Sequence, residues 1–253
     1  TEIAAGHSHT CVVSKCGEVF CWGFNMFGQV GNGTKKPTSV SSPTMALGIN
    51  ANTLATGLGW YATCVLIKGK LWCWGTNNHG ELALGDQRQR LEPTPSKYQH
   101  TFTHLTMAEY SVCGAGKGGL YCWGWNNYAQ LGQGKIEPKS SSMPFKIAFS
   151  KPIAQLVAGS GHICALTSTG EVWCWGLNNS AQCGIPNGGK FTAIYRPTQV
   201  PGLQGVKALA AGGQHTCAIL ADDTLQCWGL NNHGQLGNGN QKNKDTPTAV
   251  LGL

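Results

Sequence analysis

The tripeptide Cys-Trp-Gly occurs five times in this chain of 253 residues, at Cys21-Trp22-Gly23, Cys73-Trp74-Gly75, Cys122-Trp123-Gly124, Cys174-Trp175-Gly176 and Cys227-Trp228-Gly229. The copies are 52, 49, 52 and 53 residues apart and cover the whole sequence. Two residues after each glycine stands an asparagine (Asn25, Asn77, Asn126, Asn178, Asn231), and four residues further a Gln or Glu (Gln29, Glu81, Gln130, Gln182, Gln235). A period near 50 residues restricts the fold to arrays in which each unit buries its apolar face against the next, a solenoid or a propeller.

Upstream of each Cys-Trp-Gly lies a short apolar run broken by a turn: CVVSKCGEVFC, CVLIKGKLWC, CGAGKGGLYC, CALTSTGEVWC and CAILADDTLQC. Alternating, β-rich residues around Gly- or Asp-bearing turns read as β-hairpins, so Asp222 and Asp223 are turn residues. A strand sandwiched between neighbouring sheets can be apolar on both faces. The repeated tryptophans are therefore assigned to the core. With 36 glycines, 9 tryptophans and only 11% charged residues, the composition fits many short strands better than solvated helices.

Twelve cysteines are many for a reducing compartment. Ten of them pair across the hairpins: Cys11 with Cys21, Cys64 with Cys73, Cys113 with Cys122, Cys164 with Cys174, and Cys217 with Cys227. Directly opposed residues of an antiparallel pair lie within disulfide range. Structural zinc sites usually space their cysteines about two to four apart, whereas these pairs are nine or ten apart. Bridges, and a secreted or extracellular location, are the expectation. Cys183 falls where the other repeats have Val30, Leu82, Leu131 and Leu236, and reads as a small core residue. Cys16, in the first hairpin turn, is left as a free or intermolecular thiol or as half of a sixth bridge.

The net charge of +7 is spread over 18 scattered Lys and Arg with no basic run, which argues against a nucleic-acid partner. No apolar stretch approaches the ~20 residues of a membrane span. The sequence starts at Thr1 with no visible signal peptide, so we expect a mature or trimmed form. NGT at Asn32 and NNS at Asn178 match the N-glycosylation sequon.

The repeat GGQHTCAILADDTLQCWGLNNHGQLGNG resembles the regulator of chromosome condensation (RCC1-like) repeat family, especially its cysteine-containing extracellular versions, over all five units. The resemblance implies an all-β β-propeller with four-stranded blades, here a single domain over residues 1–253. The family's best-known members have seven blades. PTAVLGL at the end of the chain matches PTQVPGL at 197–203, and TEIAAGHSHTC at its start matches VKALAAGGQHTC. These matches lead us to expect five blades with circular closure, strands from both termini completing one blade. Glu-Leu-Ala-Leu-Gly-Asp in the second repeat suggests an irregular outer strand there. His9, His162 and His215 recur, with Ala62 and Ser111 in the other two repeats, so they read as buried groups satisfying backbone atoms at a strand start.

Hairpin geometry brings the loop before each second strand and the loop after each third strand to one edge. The residues that vary there form the candidate partner-binding face: His7, Phe27, Trp60, Tyr61, Asn78, His79, Tyr110, Trp125, Tyr128, Asn232 and His233. Aromatic rings supply contact area, and amides supply directed hydrogen bonds. The resemblance implies protein contact through this face. In a light-sensing branch of the family that contact uses the tryptophan of a Gly-Trp-Arg-His-Thr element; only Trp60 matches that position, with Tyr61 in place of Arg. Photoreception is therefore not implied, and the disulfides argue against nucleotide exchange on a small GTPase.

No carboxylate pair, Ser-His or Cys-His arrangement stands apart from the repeat, so no enzymatic activity, metal site or cofactor is expected. The sequence supports a secreted recognition or inhibitor-like protein binding a macromolecular protein partner. The alternative is a lectin-like or matrix protein binding glycans at repeated sites. Strong divergence among the loops favours one composite protein-binding face.

Overall fold

The computed structural model describes residues 2–51, 53–54, 59–186, 188, 190 and 192–252. Among them the regular structure is β throughout, twenty strands in five four-stranded antiparallel sheets. Contacts divide the chain into two compact units, Thr1–Asn126 with Pro138–Ile147, and Asn127–Glu137 with Ala148–Leu253.

The first unit contains three sheets. They are β1 (Glu2–Ala5), β2 (His9–Val13), β3 (Glu18–Phe24) and β4 (Ser39–Asn50); β5 (Thr53–Leu54), β6 (Ala62–Ile67), β7 (Lys70–Gly75) and β8 (Arg90–Pro95); and β9 (His104–Met107), β10 (Ser111–Gly116), β11 (Gly119–Trp125) and β12 (Ser140–Ile147). The second unit contains β13 (Ile153–Ala158), β14 (His162–Thr167), β15 (Val172–Leu177) and β16 (Ala193–Gln199), then β17 (Val206–Ala211), β18 (His215–Leu220), β19 (Leu225–Gly229) and β20 (Lys244–Ala249).

Every sheet is a meander of four consecutive strands. This corrects the expectation that strands from the two termini complete one blade: β1 pairs with β2, and β20 pairs with β19. The matches meet in the connection between β16 and β17, residues 200–205, where Val200 and Leu203 are buried. The first and last strands therefore belong to two different, separately complete sheets.

The five bridges form as the hairpins require. Each cysteine pair is directly opposed in register, with Cα–Cα separations of 4.1 to 4.2 Å. Cys16 is exposed, Cys183 is buried, and neither is bridged. Burial pushes the Cys183 thiol well above the ordinary thiol range, as suits a core residue among Val200, Leu209 and Trp228.

The glycine of Cys-Trp-Gly has a backbone reason. In each repeat the pairing of the third strand with the fourth slips between Cys and Gly, and the glycine there has φ between +90° and +106°. A Cβ on Gly75 would lie 2.3 Å from the Tyr61 carbonyl oxygen. Only glycine combines that dihedral with that approach.

Between sheets four of the five repeated tryptophans act as bolts, while Trp22 is only partly buried. Trp74 Nε1 donates to the Gln29 carbonyl at 2.9 Å, Trp123 to Glu81 at 2.9 Å, Trp175 to Gln130 at 2.9 Å and Trp228 to Gln182 at 3.0 Å. All four are 0% exposed, so each buries its ring and satisfies its one donor. The repeated Asn supports the same turn: Asn77 Oδ1 accepts from Leu82 N at 2.9 Å while its amide donates to the Asp86 and Arg88 carbonyls.

Two of the three recurrent histidines, His9 and His162, are buried and cross the same seams, whereas His215 is only partly buried. His9 Nε2 lies 3.0 Å from Thr63 Oγ1, and His162 Nε2 lies 2.8 Å from Thr216 Oγ1. Each threonine donates its hydroxyl proton to a carbonyl, that of Gln29 or Gln182, so the imidazole Nε2 is the donor to threonine. The expectation of a backbone partner is thus corrected: the strand's own backbone is already paired, and the ring reaches the neighbouring sheet. Where His9 meets Thr63, Ala62 of the next repeat has Val112 at the corresponding place.

Two further expectations are corrected. The outer strand of the second repeat carries only the register shift that every repeat has, because Ala83 takes the left-handed conformation, φ +55°, that Gly31, Gly132, Gly184 and Gly237 take elsewhere. Asn178 is fully buried and its side chain holds Cys183 N and the Ile185 carbonyl, so the folded chain does not present it for glycosylation.

Candidate partner-binding face

In every repeat the amide following the Cys-Trp-Gly glycine donates to the carbonyl of the residue preceding the second strand. Phe24 N reaches Ser8 O at 2.7 Å, Thr76 N reaches Tyr61 O at 2.9 Å and Trp125 N reaches Tyr110 O at 2.8 Å. Leu177 N reaches Gly161 O at 2.8 Å and Leu230 N reaches Gln214 O at 2.9 Å. This clip ties the two variable loops of each repeat together at one sheet edge. A second bond shapes the loop tip: the Gln or Glu side chain accepts from the amide two residues earlier, as Gln29 does from Phe27 N at 3.0 Å and Glu81 does from His79 N at 2.8 Å. The tips are rigid, as a pre-organised contact surface requires.

On the first unit these loops carry a continuous track of rings. Phe27 meets Tyr61 at 4.8 Å between centroids, Phe24 meets Tyr61 at 5.6 Å and Tyr61 meets Trp60 at 6.1 Å. Trp60 stacks on His7 at 5.0 Å and an interplanar angle of 21°, and meets Tyr110 at 5.9 Å. His79 then sits between Tyr110 at 5.1 Å and Trp125 at 5.6 Å. Seven of the eleven residues singled out in the sequence are thereby brought together, with Asn78 exposed beside His79.

The remaining three belong to the second unit. Tyr128 is half-buried, its amide bonded to Gln130 Oε1 at 2.8 Å, and Asn232 and His233 are exposed. Besides His233, the face positions of its two repeats hold amides, hydroxyls and glycines, with Ser180 Oγ donating to Gln214 Oε1 at 3.0 Å.

Three further residues belong to the first unit's face beyond those singled out in the sequence. Phe24 extends the ring track. Glu109 lies beside it, and burial raises its carboxyl while nearby His7 pulls it partly back. Glu81 lies beneath it, 1% exposed, with its carboxyl raised to about 7 by burial and only partly relieved by backbone donors. Burial lowers His79, and it raises the Tyr110 phenol together with the charges of Glu109, Tyr61 and Glu81. The available signal was that Glu81 is an acid where four repeats have Gln.

Meandering four-stranded sheets bolted by a repeated tryptophan, with function left to loops at one edge, define a class of β-propeller repeat protein. All of residues 1–253 match the family model described as the RCC1-like domain, and the chain belongs to that family. It is 32% identical to the ultraviolet-B receptor UVR8 of Arabidopsis thaliana, aligned over 100% of this chain and 58% of that protein. It is 29% identical to the E3 ubiquitin-protein ligase HERC2 of Mus musculus over 99% of this chain and 5% of that protein. The yeast RCC1 protein Prp20, solved with Kap60, superposes with a TM-score of 0.89 at 22% identity, covering 99% of this chain and 61% of that one. The chain thus spans less than two thirds of the length of each of these relatives.

Proposed function

We propose that this chain is a non-enzymatic recognition module of an oxidising, extracellular setting that binds a protein partner through the aromatic face of its first unit. The observation that carries this reading is the ring track from Phe27 to Trp125, half-buried and rigidly clipped. Rings held in fixed orientation lose little conformational entropy on binding, and large aromatics dominate contact energy. The five bridges, one in each hairpin, support the oxidising location. The similarity to a receptor and to a protein solved in a complex supports a binding role. Because the rings are confined to the first three repeats, the arrangement favours one composite site over repeated glycan sites.

The test is affinity capture from the native fluid, paired with a glycan array. One saturable protein partner, lost with Trp60→Ala and kept with His233→Ala, is expected. An anchor of this kind contributes about 2 kcal/mol or more, so its loss weakens binding roughly 30-fold. Saturable sugar binding at several sites per chain, with no protein partner, would overturn the proposal.

A further inference from the structure

The aromatic face carries a carboxylate that no Lys or Arg of its own loops neutralises, with only the His7 ring as a charge partner nearby. Among the described residues the Glu109 carboxylate makes no hydrogen bond or ion pair, although its backbone carbonyl is held by Trp60 N at 3.2 Å and its neighbour Tyr110 is held by Trp125 N at 2.8 Å. Its backbone is therefore held in place, and its side chain is half-buried next to Tyr110 in sequence and near His7, on the loop that bonds Trp60. The loops of the face (7–8, 24–28, 60–61, 78–80, 109–110 and 125–127) contain no Lys or Arg, in a chain whose net charge is +7. The cations next along the sequence, Lys35, Lys36, Arg88 and Arg90, lie in the longer segments leading to outer strands, and Arg90 is already paired with Asp86 at 2.8 Å.

We propose that the Glu109–Trp60–Tyr110 corner is a receptor site for an arginine side chain displayed by the protein partner, the guanidinium stacking on a ring while it pairs with the Glu109 carboxylate. This rests on the reading of the aromatic face as the contact surface. Two features of the corner select arginine. A carboxylate partly removed from water gains most from a charged donor, and adjacent π faces attract a cation. Guanidinium meets both demands at once, because it is planar, weakly hydrated and presents paired donors, whereas an ammonium is a strongly hydrated point charge.

The experiment follows the indole N–H signals of Trp60 and Trp125 by NMR, assigned with Trp60→Phe and Trp125→Phe. The protein is titrated with N-acetyl-arginine amide, its neutral isostere N-acetyl-citrulline amide, and tetramethylammonium chloride. We expect a saturable shift of the Trp60 signal with the arginine probe, binding at least tenfold weaker for citrulline, and at least a fivefold loss of arginine affinity in Glu109→Gln with the rest of the spectrum unchanged. Equal binding of citrulline, undiminished arginine binding by Glu109→Gln, or tighter binding of tetramethylammonium than of arginine would each overturn the inference. Partner capture separates the two levels. Loss with Trp60→Ala but not with Glu109→Gln would sink the arginine site and leave the face standing, whereas retention by both variants would sink the face itself.

Discussion

Replacing Glu81 by Gln should stabilise this protein at pH 8 and leave it nearly unchanged at pH 4.5. Glu81 occupies the turn position that Gln29, Gln130, Gln182 and Gln235 occupy elsewhere, accepts the same bond from the amide two residues earlier, and is 1% exposed. Its carboxyl moves from the ordinary 4.5 to about 7 because burial disfavours the ionised form. The native state therefore holds a proton that the unfolded state has released between about pH 4.5 and 7. Stability falls as pH rises through that window and is level above it. A displacement of that size corresponds to about 3 kcal/mol at pH 8. A Gln there has no charge to bury; in two repeats the Gln amide donates to an Asn three residues earlier, Asn179 at 3.2 Å and Asn232 at 3.3 Å, and Asn78 has the same place before Glu81, whereas the Gln29 and Gln130 amides are buried without a partner among the described residues, a smaller cost than burying a charge. The assay is urea unfolding of both proteins, bridges intact, at pH 4.5 and pH 8. The buried histidines titrate alike in both proteins and cancel in the difference. A gain of equal size at both pH values, or a Glu81→Gln protein less stable at pH 8, would refute the reasoning.

Other outcomes follow from the same geometry. Burial lowers His9 to about 4 and His162 to about 3, so the native state refuses protons that the unfolded state takes. Stability should then fall as pH drops from about 6.5 towards 4, and His162→Gln should lessen that acid loss by up to about 3 kcal/mol in urea unfolding across the range. Ala83→Gly, at φ +55°, should raise stability by about 1 kcal/mol in thermal unfolding, and a loss would contradict the left-handed turn. Gly75→Ala should cost roughly 3 kcal/mol or more, from φ +99° and a Cβ 2.3 Å from the Tyr61 carbonyl; a neutral result would remove the clip between the face loops.

The blades were legible because their period is written in residues that cannot be exchanged. The Cys pairs, the glycine that the slipped register demands and the tryptophan that bolts one sheet to the next all recur at fixed spacing. The seam between sheets was less legible. His9 and Thr63 lie 54 residues apart, and their partnership shows in sequence only as the joint change to Ala62 and Val112 one repeat on. The strand boundary was misjudged because PTQVPGL and PTAVLGL match as words without showing that the chain turns between sheets there. On the face, the identity of the anchors could be read but not their grouping. Trp60, Tyr110 and Trp125 come together because successive sheets bring their loops side by side, while His233 at an equivalent loop position stands exposed. Glu81 escaped notice because Gln and Glu satisfy one turn pattern, and only burial distinguishes them.

The claim that the first unit's aromatic face is the contact surface is tested most directly by hydroxyl-radical footprinting of the chain alone and with its captured partner, read by mass spectrometry. Phe27, Trp60, Tyr61, Tyr110 and Trp125 are half-buried in the free chain, and their exposed ring edges are expected to be oxidised there. The account predicts that binding protects these rings, while the exposed Met45, Tyr195 and His233 stay as reactive as before. Protection of His233 or Tyr195 with unchanged oxidation of Trp60 and Tyr110 would contradict it.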